Sequence, residues 1–486
     1  MGKITKNLKD TNLNDKVNYN KLLWPLYLLN GFQSIAYGSF IVLIVPLSEI
    51  FWPTETTHFI EMGILYSSLS WSSAVGGLVF GRLIDKYSRK HIIIIISVFR
   101  GIPIFLLGFA VAGKGTLTWA YFLVLISIFG FFAGGSWPAV ISLSNDTVPR
   151  FQRSQFFGVY ELVRRATNTS GWLVATYLVQ IGLWREFFLG IGALILLAGL
   201  VFAIHNDEPK RGAFQEELYT VLKADDVSYE FQIDKEMMKK TMLSKTNIVA
   251  LVEGIFTWIL MSSLNFMILN FIQNPPINIS EFSTSVFLVV FGLTGGIVGQ
   301  LILAKISDKL AEKNELIRLP IIVISIVGGL VTFATFFFLP WKPLTPAQGE
   351  DIGFLLTLPI IWIMGILYFT STSFFSLYVV NQSPVLQAIN LPEAQGQIIS
   401  WNQFLEAFGR GVGPILCGFL LSITAQNYQV TVLLVVLCIL PGAILWIIAL
   451  RWYRDDRKII QKILKERAKI LETDKNESAS RDIIKP

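Results

Sequence analysis

Apolar runs of about twenty residues recur along the whole chain and are separated by short polar segments. An α-helix of that length crosses the ~30 Å hydrocarbon core of a bilayer, so each run predicts one membrane-spanning helix. The pattern predicts an all-α membrane protein with twelve transmembrane helices, at 23–50, 60–80, 91–112, 118–143, 154–181, 186–204, 247–272, 283–304, 318–340, 352–380, 397–423 and 428–451.

The longest polar interruption divides these spans into six and six. The first residues are polar and basic, and they lack the apolar core and small-residue cleavage site of a secretory leader. They therefore predict a tail rather than a signal peptide. We expect five parts: an N-terminal tail (1–22), a six-helix bundle (23–204), a linker (205–246), a second six-helix bundle (247–451) and a C-terminal tail (452–486).

Basic residues are concentrated in both tails, in the linker and in the loops that follow spans 2, 4 and 8. The loops of the other side hold only Lys114, Arg185 and Lys342. By the positive-inside rule, this asymmetry predicts a multi-pass protein of the cell membrane with both termini in the cytoplasm. Because the net charge of +6 lies mostly beside the predicted spans, we expect the lipid bilayer, and not nucleic acid, as the partner of these bases.

The two halves repeat a motif between their second and third spans. VGGLVFGRLIDKYSRK (75–90) aligns with VGQLILAKISDKLAEK (298–313). Repeated six-helix halves are typical of transporters that rock around a site near the bilayer midplane. The matched pairs include Gly76 with Gly299, Asp85 with Asp308 and Lys90 with Lys313.

The motif G-x-L-x-D-x-x-x-R-K at 81–90, echoed in the second half, resembles that of the major facilitator superfamily. The resemblance covers about 23–451. RSQFFGVYELV and SPVLQAINLPEAQGQ are further similar to the Spinster-like branch. The resemblance implies two pseudo-symmetric six-helix bundles with a substrate cavity between them, which work by alternating access.

The motif aspartates are expected to latch the halves on the cytoplasmic side. The resemblance implies that Asp85 meets helix 11 near Gly396, and that Asp308 meets helix 5 near Arg153. It also implies a bond from Arg89 to Asp146, and the Gly77-x-x-x-Gly81 spacing predicts a close helix approach. The alternative is a topology signal alone, although that signal needs no aspartate. The expected gating residues are Gly81, Asp85, Arg89, Lys90, Asp146, Asp308 and Lys313.

Seven ionisable residues fall at membrane depth, where a charge is costly unless it faces a cavity or a partner. Four arginines stand against three glutamates, a net charge of +1 if all are ionised. An anionic solute is therefore favoured. The seven are Arg100, Glu161, Arg164, Arg165, Glu253, Glu406 and Arg410.

Helix 5 carries a polar stripe at i, i+3, i+4 and i+7, formed by Glu161, Arg164, Arg165 and Asn168. The i,i+4 spacing predicts a Glu161–Arg165 pair, which leaves Arg164 to contact an anionic substrate. A purely structural role for the stripe is the alternative. Helix 11 repeats the arrangement with Gln403, Glu406 and Arg410. Glu406 and Arg410 are again at i,i+4, and we expect them either to neutralise each other or to bind substrate.

Three further positions are candidates for the cavity. Glu253 on helix 7 is expected either to reach water at the cytoplasmic end or to face the cavity. Arg100 on helix 3 is expected either to contact the substrate in the cavity or to form a structural hydrogen bond. Helix 1 has an uncharged stripe that includes Asn30, Gln33 and Tyr37. The resemblance implies an Asp-Arg pair where this chain has Gln33-Ser34, so proton coupling through the usual residues is in doubt.

No catalytic constellation, cofactor motif or metal-ligand spacing occurs, so we expect neither an enzyme nor a cofactor. We predict a monomeric secondary active transporter of a small organic or amphiphilic solute, with an anionic, lysolipid-like one favoured. A proton or sodium ion is the candidate coupling ion. The alternatives are a proton-coupled exporter of cationic drugs that uses Glu253, and a non-transporting receptor or scaffold that kept the fold.

Overall fold

A computed structural model describes residues 19–54, 58–148, 153–208 and 235–483, and within them every regular element is helical. The long helices, numbered 1 to 12 in chain order, are Tyr19–Val42 continued by Ile44–Phe51, Phe59–Lys86, Arg89–Leu107, Thr116–Gly134 continued by Ser136–Thr147, Arg153–Gln180, Trp184–His205, Lys245–Gln273, Glu281–Lys313, Arg318–Phe337, Pro359–Ala388, Pro392–Ile423 and Tyr428–Ile483.

Nine of these helices are long and apolar enough to cross a membrane, as judged over the described ranges. The count is ten if helix 1, which bends by 71° between its two parts, is taken as one span. The remaining two, helices 2 and 5, have 28 residues each and are also long enough, at about 1.5 Å per residue. Their polar residues, rather than their length, set them apart. The predicted all-α membrane fold is confirmed.

The packing of the helices shows the repeat in three dimensions. In the first half, helix 1 packs on helix 5, helix 2 on helix 4 and helix 3 on helix 6. The corresponding pairs of the second half, helices 7 and 11, 8 and 10, and 9 and 12, pack in the same way. The halves meet mainly through helices 2 and 11 and through helix 5 and the start of helix 8.

A glycine at the same place in each repeat lets two helices touch backbone to backbone. A Cβ atom on Gly76 would lie 1.8 Å from the carbonyl oxygen of Phe131 on helix 4. A Cβ atom on Gly299 would lie 2.3 Å from the carbonyl oxygen of Ser373 on helix 10. The close approach predicted at Gly81 is not made by the described residues in this state, because a Cβ atom there would meet none of them within 4 Å.

The halves are closed at one end and apart at the other. We call the end at which helices 1 and 7 begin the inner end, and the opposite end the outer end. At the outer end, a Cβ atom on Gly418 would lie 2.3 Å from the carbonyl oxygen of Phe59. At the inner end, Cβ atoms on Gly81 and Gly158 would meet none of the described residues within 4 Å, and the contacts described between the halves lie nearer the outer end. The arrangement is therefore inward-open.

Candidate functional site

A polar cavity of about 510 Å³ lies between the halves. Helices 1 to 5 form one wall and helix 11 forms the other. Nine of the residues predicted for the cavity line it: Asn30, Tyr37, Arg100, Glu161, Arg164, Asn168, Gln403, Glu406 and Arg410. Sequence reasoning missed small and aromatic residues that carry no charge signal: Ser73, Ala133, Gly134, Ser136, Trp137, Tyr160 and Ala407.

Arg100 is held in this wall by neutral groups. Its side chain is only 5% exposed. Nη1 donates to Oε1 of Gln33 at 2.6 Å and to Oγ of Ser136 at 3.0 Å, and Nη2 donates to the carbonyl oxygen of Gln33 at 3.2 Å. Its Cζ atom also lies 4.7 Å from the centre of the Phe129 ring. Gln33 thus lies behind Arg100 and orients it, and is not part of the cavity lining.

Arg410 stacks on an aromatic ring. Its Cζ atom lies 4.0 Å from the ring centre of Trp258 on helix 7, a cation–π geometry. The self-neutralising Glu406–Arg410 pair is not formed, since no ion pair within 4 Å joins these two described residues. Oε1 of Glu406 instead accepts a hydrogen bond from Nδ2 of Asn402 at 2.6 Å. Glu406 therefore binds Asn402, one turn earlier on helix 11, and Arg410 binds the Trp258 ring on helix 7, in place of the predicted Glu406–Arg410 pair.

The pairing on helix 5 is the reverse of the predicted one. Arg164 binds Glu161 through Nε at 3.0 and 3.1 Å and through Nη2 at 2.8 Å. Arg165 lies 3.9 Å from Glu161, and its Nη1 donates to Oε1 of Gln300 on helix 8 at 2.7 Å. Arg165 has turned toward the other half of the protein, which leaves the carboxylate to the planar fork of Arg164.

Glu253 does neither of the things predicted for it. It is 0% exposed and lines neither this cavity nor the one described next. Oε2 accepts from the hydroxyl of Tyr378 on helix 10 at 2.9 Å, and Oε1 accepts from the hydroxyl of Thr257. The side chain points into the second bundle, so it reaches neither the inner end nor the cavity.

An apolar cavity of about 350 Å³ lies beside the polar one, among helices 5, 7, 8, 9 and 10. Arg165 and Gln300 stand at its polar edge. Helix 8 passes it through two π-helical segments, Leu288–Leu293 and Val298–Leu303, a distortion often found at functional sites. Trp258, on which Arg410 of the polar cavity stacks, lines this apolar cavity, so this contact links the two. Its aromatic lining is Trp172, Trp258, Phe333, Tyr368 and Phe375.

The motif loop of the first half is tied to the end of helix 6. Glu208 accepts hydrogen bonds from Oγ of Ser88 at 2.6 Å and from the backbone nitrogens of Arg89 at 2.9 Å and Lys90 at 2.8 Å. Arg89 is buried, and its Nε donates to Oγ of Ser142 at 3.0 Å. The side chains of Asp85 and Asp146 lie outside the described part, so their contacts stay predictions.

In the second half, the motif aspartate has a partner within its own bundle. Oδ1 of Asp308 accepts from Nη2 of Arg318, at the start of helix 9, at 2.8 Å. The predicted contact of Asp308 is with helix 5 near Arg153, whose side chain lies outside the described part, so that contact stays a prediction. Lys313 is exposed at the inner end.

The sequence profile of the Major Facilitator Superfamily matches residues 23–414. The probable sulfoacetate transporter SauU of Cupriavidus necator is 20% identical over 283 residues, which are 56% of this chain and 63% of that protein. The putative glycerol-3-phosphate transporter 3 of Arabidopsis thaliana is 30% identical over 128 residues, which are 26% of this chain and 25% of that protein. The chain thus aligns with less than two thirds of either relative.

Solved structures share the fold at low sequence identity. A bacterial homologue of the human lysosomal transporter Spinster, in an inward-facing and unoccupied conformation, superposes with a TM-score of 0.67 at 16% identity, over 91% of this chain and 99% of that one. The nucleoside transporter NupG superposes with a TM-score of 0.59 at 17% identity, over 88% and 98%. With a profile match over most of its length and this fold, the chain belongs to the Major Facilitator Superfamily of membrane transporters.

Proposed function

We propose that this protein is a secondary active transporter of a single-chain anionic amphiphile, lysolipid-like in chemistry, which it moves by rocker-switch alternating access. It would act as a monomer in the cell membrane, with the inner end in the cytoplasm. The observation that carries the proposal is a pair of cavities, one polar and arginine-lined and one apolar, that are linked by a stacking contact: Arg410 lines the first, and Trp258, on which it stacks, lines the second.

The polar cavity supplies the recognition of an anion. Its lining holds three arginines and two glutamates, a net charge of +1 if all are ionised. Arg164 is paired with Glu161, whereas Arg100 and Arg410 have no carboxylate within 4 Å among the described residues. A guanidinium group reads a phosphate or carboxylate through two parallel hydrogen bonds, so these two arginines are the best placed to bind one.

The apolar cavity supplies a place for a hydrocarbon chain. Its volume is within the usual range of ligand pockets, and aromatic and aliphatic side chains, among them Leu264, Leu288 and Leu293, form most of its wall. Burying apolar ligand surface there is favourable by roughly 25 cal/mol per Å². A solute with an anionic head and one chain would occupy both cavities at once.

The names of the relatives agree with an anionic substrate, since sulfoacetate and glycerol 3-phosphate both carry acid groups. The apolar cavity favours an amphiphile over these small anions. A cationic drug is disfavoured, because the lining of the polar cavity carries a net positive charge if all its ionisable groups are ionised.

The test is translocation in proteoliposomes of three probes: lysophosphatidic acid, glycerol phosphate without the chain, and monoacylglycerol without the phosphate. We expect the purified protein to translocate the first much faster than the other two. Arg100→Gln and Arg410→Gln should each slow this at least about tenfold, equivalent to ~1.4 kcal/mol. Equal rates for the uncharged probe would contradict the proposal, and binding without translocation would point to a receptor.

The control is Arg185→Gln. Arg185 also stacks on a tryptophan, with Cζ 4.3 Å from the ring centre of Trp184, but it lies at the outer end of helix 6, away from both cavities. Its replacement should leave translocation unchanged. A loss as large as that of the cavity variants would show that the effect is not specific to the site.

A further inference from the structure

Glu253 is a fully buried carboxyl group in the middle of a membrane bundle. Its two hydrogen-bond partners, Thr257 and Tyr378, are hydroxyl groups. No base lies within 4 Å of it in the described part of the chain. An ionised carboxylate in such surroundings costs several kcal/mol unless a positive charge offsets it. A hydroxyl group can donate or accept, so these partners suit the ionised and the neutral form alike.

The titratable groups that face Glu253 from the neighbouring helices do not supply that charge. Helix 10 presents Tyr378, and helix 11 presents Glu406, a second acid whose charge interacts unfavourably with it. Helix 12 presents Trp446, which does not titrate, with Tyr453 in the same buried cluster. Arg410, on helix 11, is stacked on Trp258. Two acids therefore lie near each other on helices 7 and 11, and neither has an ion-pair partner within 4 Å in the described part of the chain.

A polar cluster lies between the cavity and the backbone of helix 7 next to this buried acid. Glu406 lines the polar cavity and accepts from Asn402, and Nε2 of Gln382 donates to Oδ1 of Asn402 at 3.4 Å. Gly254 makes room for this cluster, because a Cβ atom there would lie 3.4 Å from Cγ of Glu406 and 3.4 Å from Oδ1 of Asn402. The backbone beside Glu253 thus rests directly on the side chains that reach the cavity.

We infer that Glu253 is the proton-binding site that couples transport to a proton gradient, with Glu406 as the group that exchanges the proton with cavity water. In the inward-open state a proton from that water forms an O–H bond on Glu253, and the same bond breaks when the cavity faces the other side. This inference rests on the proposed transport function. Neutral Gln33 on helix 1 cannot take this role.

The test uses the reconstituted full chain and lysophosphatidic acid in two assays. One measures counterflow at equal pH on both sides, which needs no coupling. The other measures accumulation under an imposed pH gradient. With one proton per cycle, one pH unit should change the accumulation ratio about tenfold, since it is worth ~1.36 kcal/mol. Glu253→Gln, which keeps the shape, should retain counterflow and lose this response. Glu312→Gln, an exposed acid at the inner end of helix 8, should retain both.

The outcomes separate the two proposals. A Glu253→Gln protein that still accumulates substrate under a pH gradient overturns the coupling role and leaves the transport function standing. If the unsubstituted protein shows neither counterflow nor accumulation, both the transport function and the coupling role are overturned. If Glu253→Gln does not fold, Tyr378→Phe removes one hydrogen bond to the acid and should move the pH of half-maximal accumulation while sparing counterflow. The coupling role of Glu253 is overturned if the pH of half-maximal accumulation does not move, or if a sodium gradient drives accumulation equally well.

Discussion

Arg100 and Arg410 keep their charge inside the bundle without a carboxylate of their own. Arg100 is held by an amide, a hydroxyl and a backbone carbonyl, and Arg410 by the face of an indole. These dipoles orient a guanidinium group but do not neutralise it. An arriving anion is then the group that completes the compensation of charge, which is a physical reason for the protein to bind one.

Gln33→Glu tests whether the uncompensated charge of Arg100 contributes to anion binding. Oε1 of Gln33 already lies 2.6 Å from Nη1 of Arg100, so a glutamate there would pair with it in place. Neutralising Arg100 should weaken binding of lysophosphatidic acid at least about tenfold, or ~1.4 kcal/mol, in equilibrium titration. Gln180→Glu, exposed at the outer end of helix 5, is the control and should change nothing. Unaltered affinity of Gln33→Glu would mean that Arg100 does not contribute to the anion site.

The sequence predicted most of the polar cavity lining but not how its charges pair. Hydropathy and helical periodicity identified the stripe on helix 5, because a polar face on an apolar rod is a local signal. The choice between Arg164 and Arg165 as the partner of Glu161 depends on Gln300, which is distant in the chain. The i,i+3 and i,i+4 positions are both within reach on a helix, so spacing alone could not decide.

Helix ends are fixed by contacts that hydropathy does not register. Helix 12 continues past 451, the predicted end of its membrane span, to Ile483. Oδ2 of Asp456 on this extension accepts from the backbone nitrogen of Thr246 at 3.0 Å, in the first turn of helix 7. Ile460 and Ile463 pack in a buried cluster with Met242 and Leu391. The apolar run ends at 451, while the helix continues beyond it and packs against the second bundle through Asp456, Ile460 and Ile463.

Glu208 gives a testable case of such an end. It accepts three hydrogen bonds at the start of helix 3, where a negative charge is also favoured by the helix dipole. Glu208→Ala should lower the free energy of unfolding by about 0.5–2 kcal/mol, as for loss of an N-cap. Hydrogen exchange should show faster opening of the amides of Arg89 and Lys90. The adjacent Asp207→Ala is the matched control, and equal protection in both variants would contradict the capping role.

Across the whole molecule, the repeat in the sequence and the paired packing of the halves describe the same symmetry. Gly76 and Gly299 occupy equivalent contacts, one in each half. The sequence could predict this fold because long apolar runs and a repeated motif are signals that survive without tertiary information. It could not predict which end is open, since one sequence must encode both the inward-open and the outward-open state of an alternating-access protein.

The state of the latch follows from that opening. With the inner end apart, Asp308 bonds to Arg318 in its own bundle. We expect this bond to compete with any contact to helix 5 when the inner end closes. Two hydrogen bonds between described residues join the halves near mid-depth, from Trp71 to the carbonyl oxygen of Phe408 at 3.1 Å and from Arg165 to Gln300 at 2.7 Å. They are the contacts about which the halves would rock.

The most direct test of alternating access is a pair of distances measured by double electron–electron resonance. Spin labels at exposed Gln155 and Lys309 report the inner ends of helices 5 and 8, and labels at exposed Gln180 and Lys342 report the outer end, in a Cys417→Ala, Cys438→Ala background. With lysophosphatidic acid bound, the account predicts a shorter inner distance and a longer outer distance in a substantial fraction of molecules. Both distances unchanged, in protein that demonstrably binds the ligand, would contradict it.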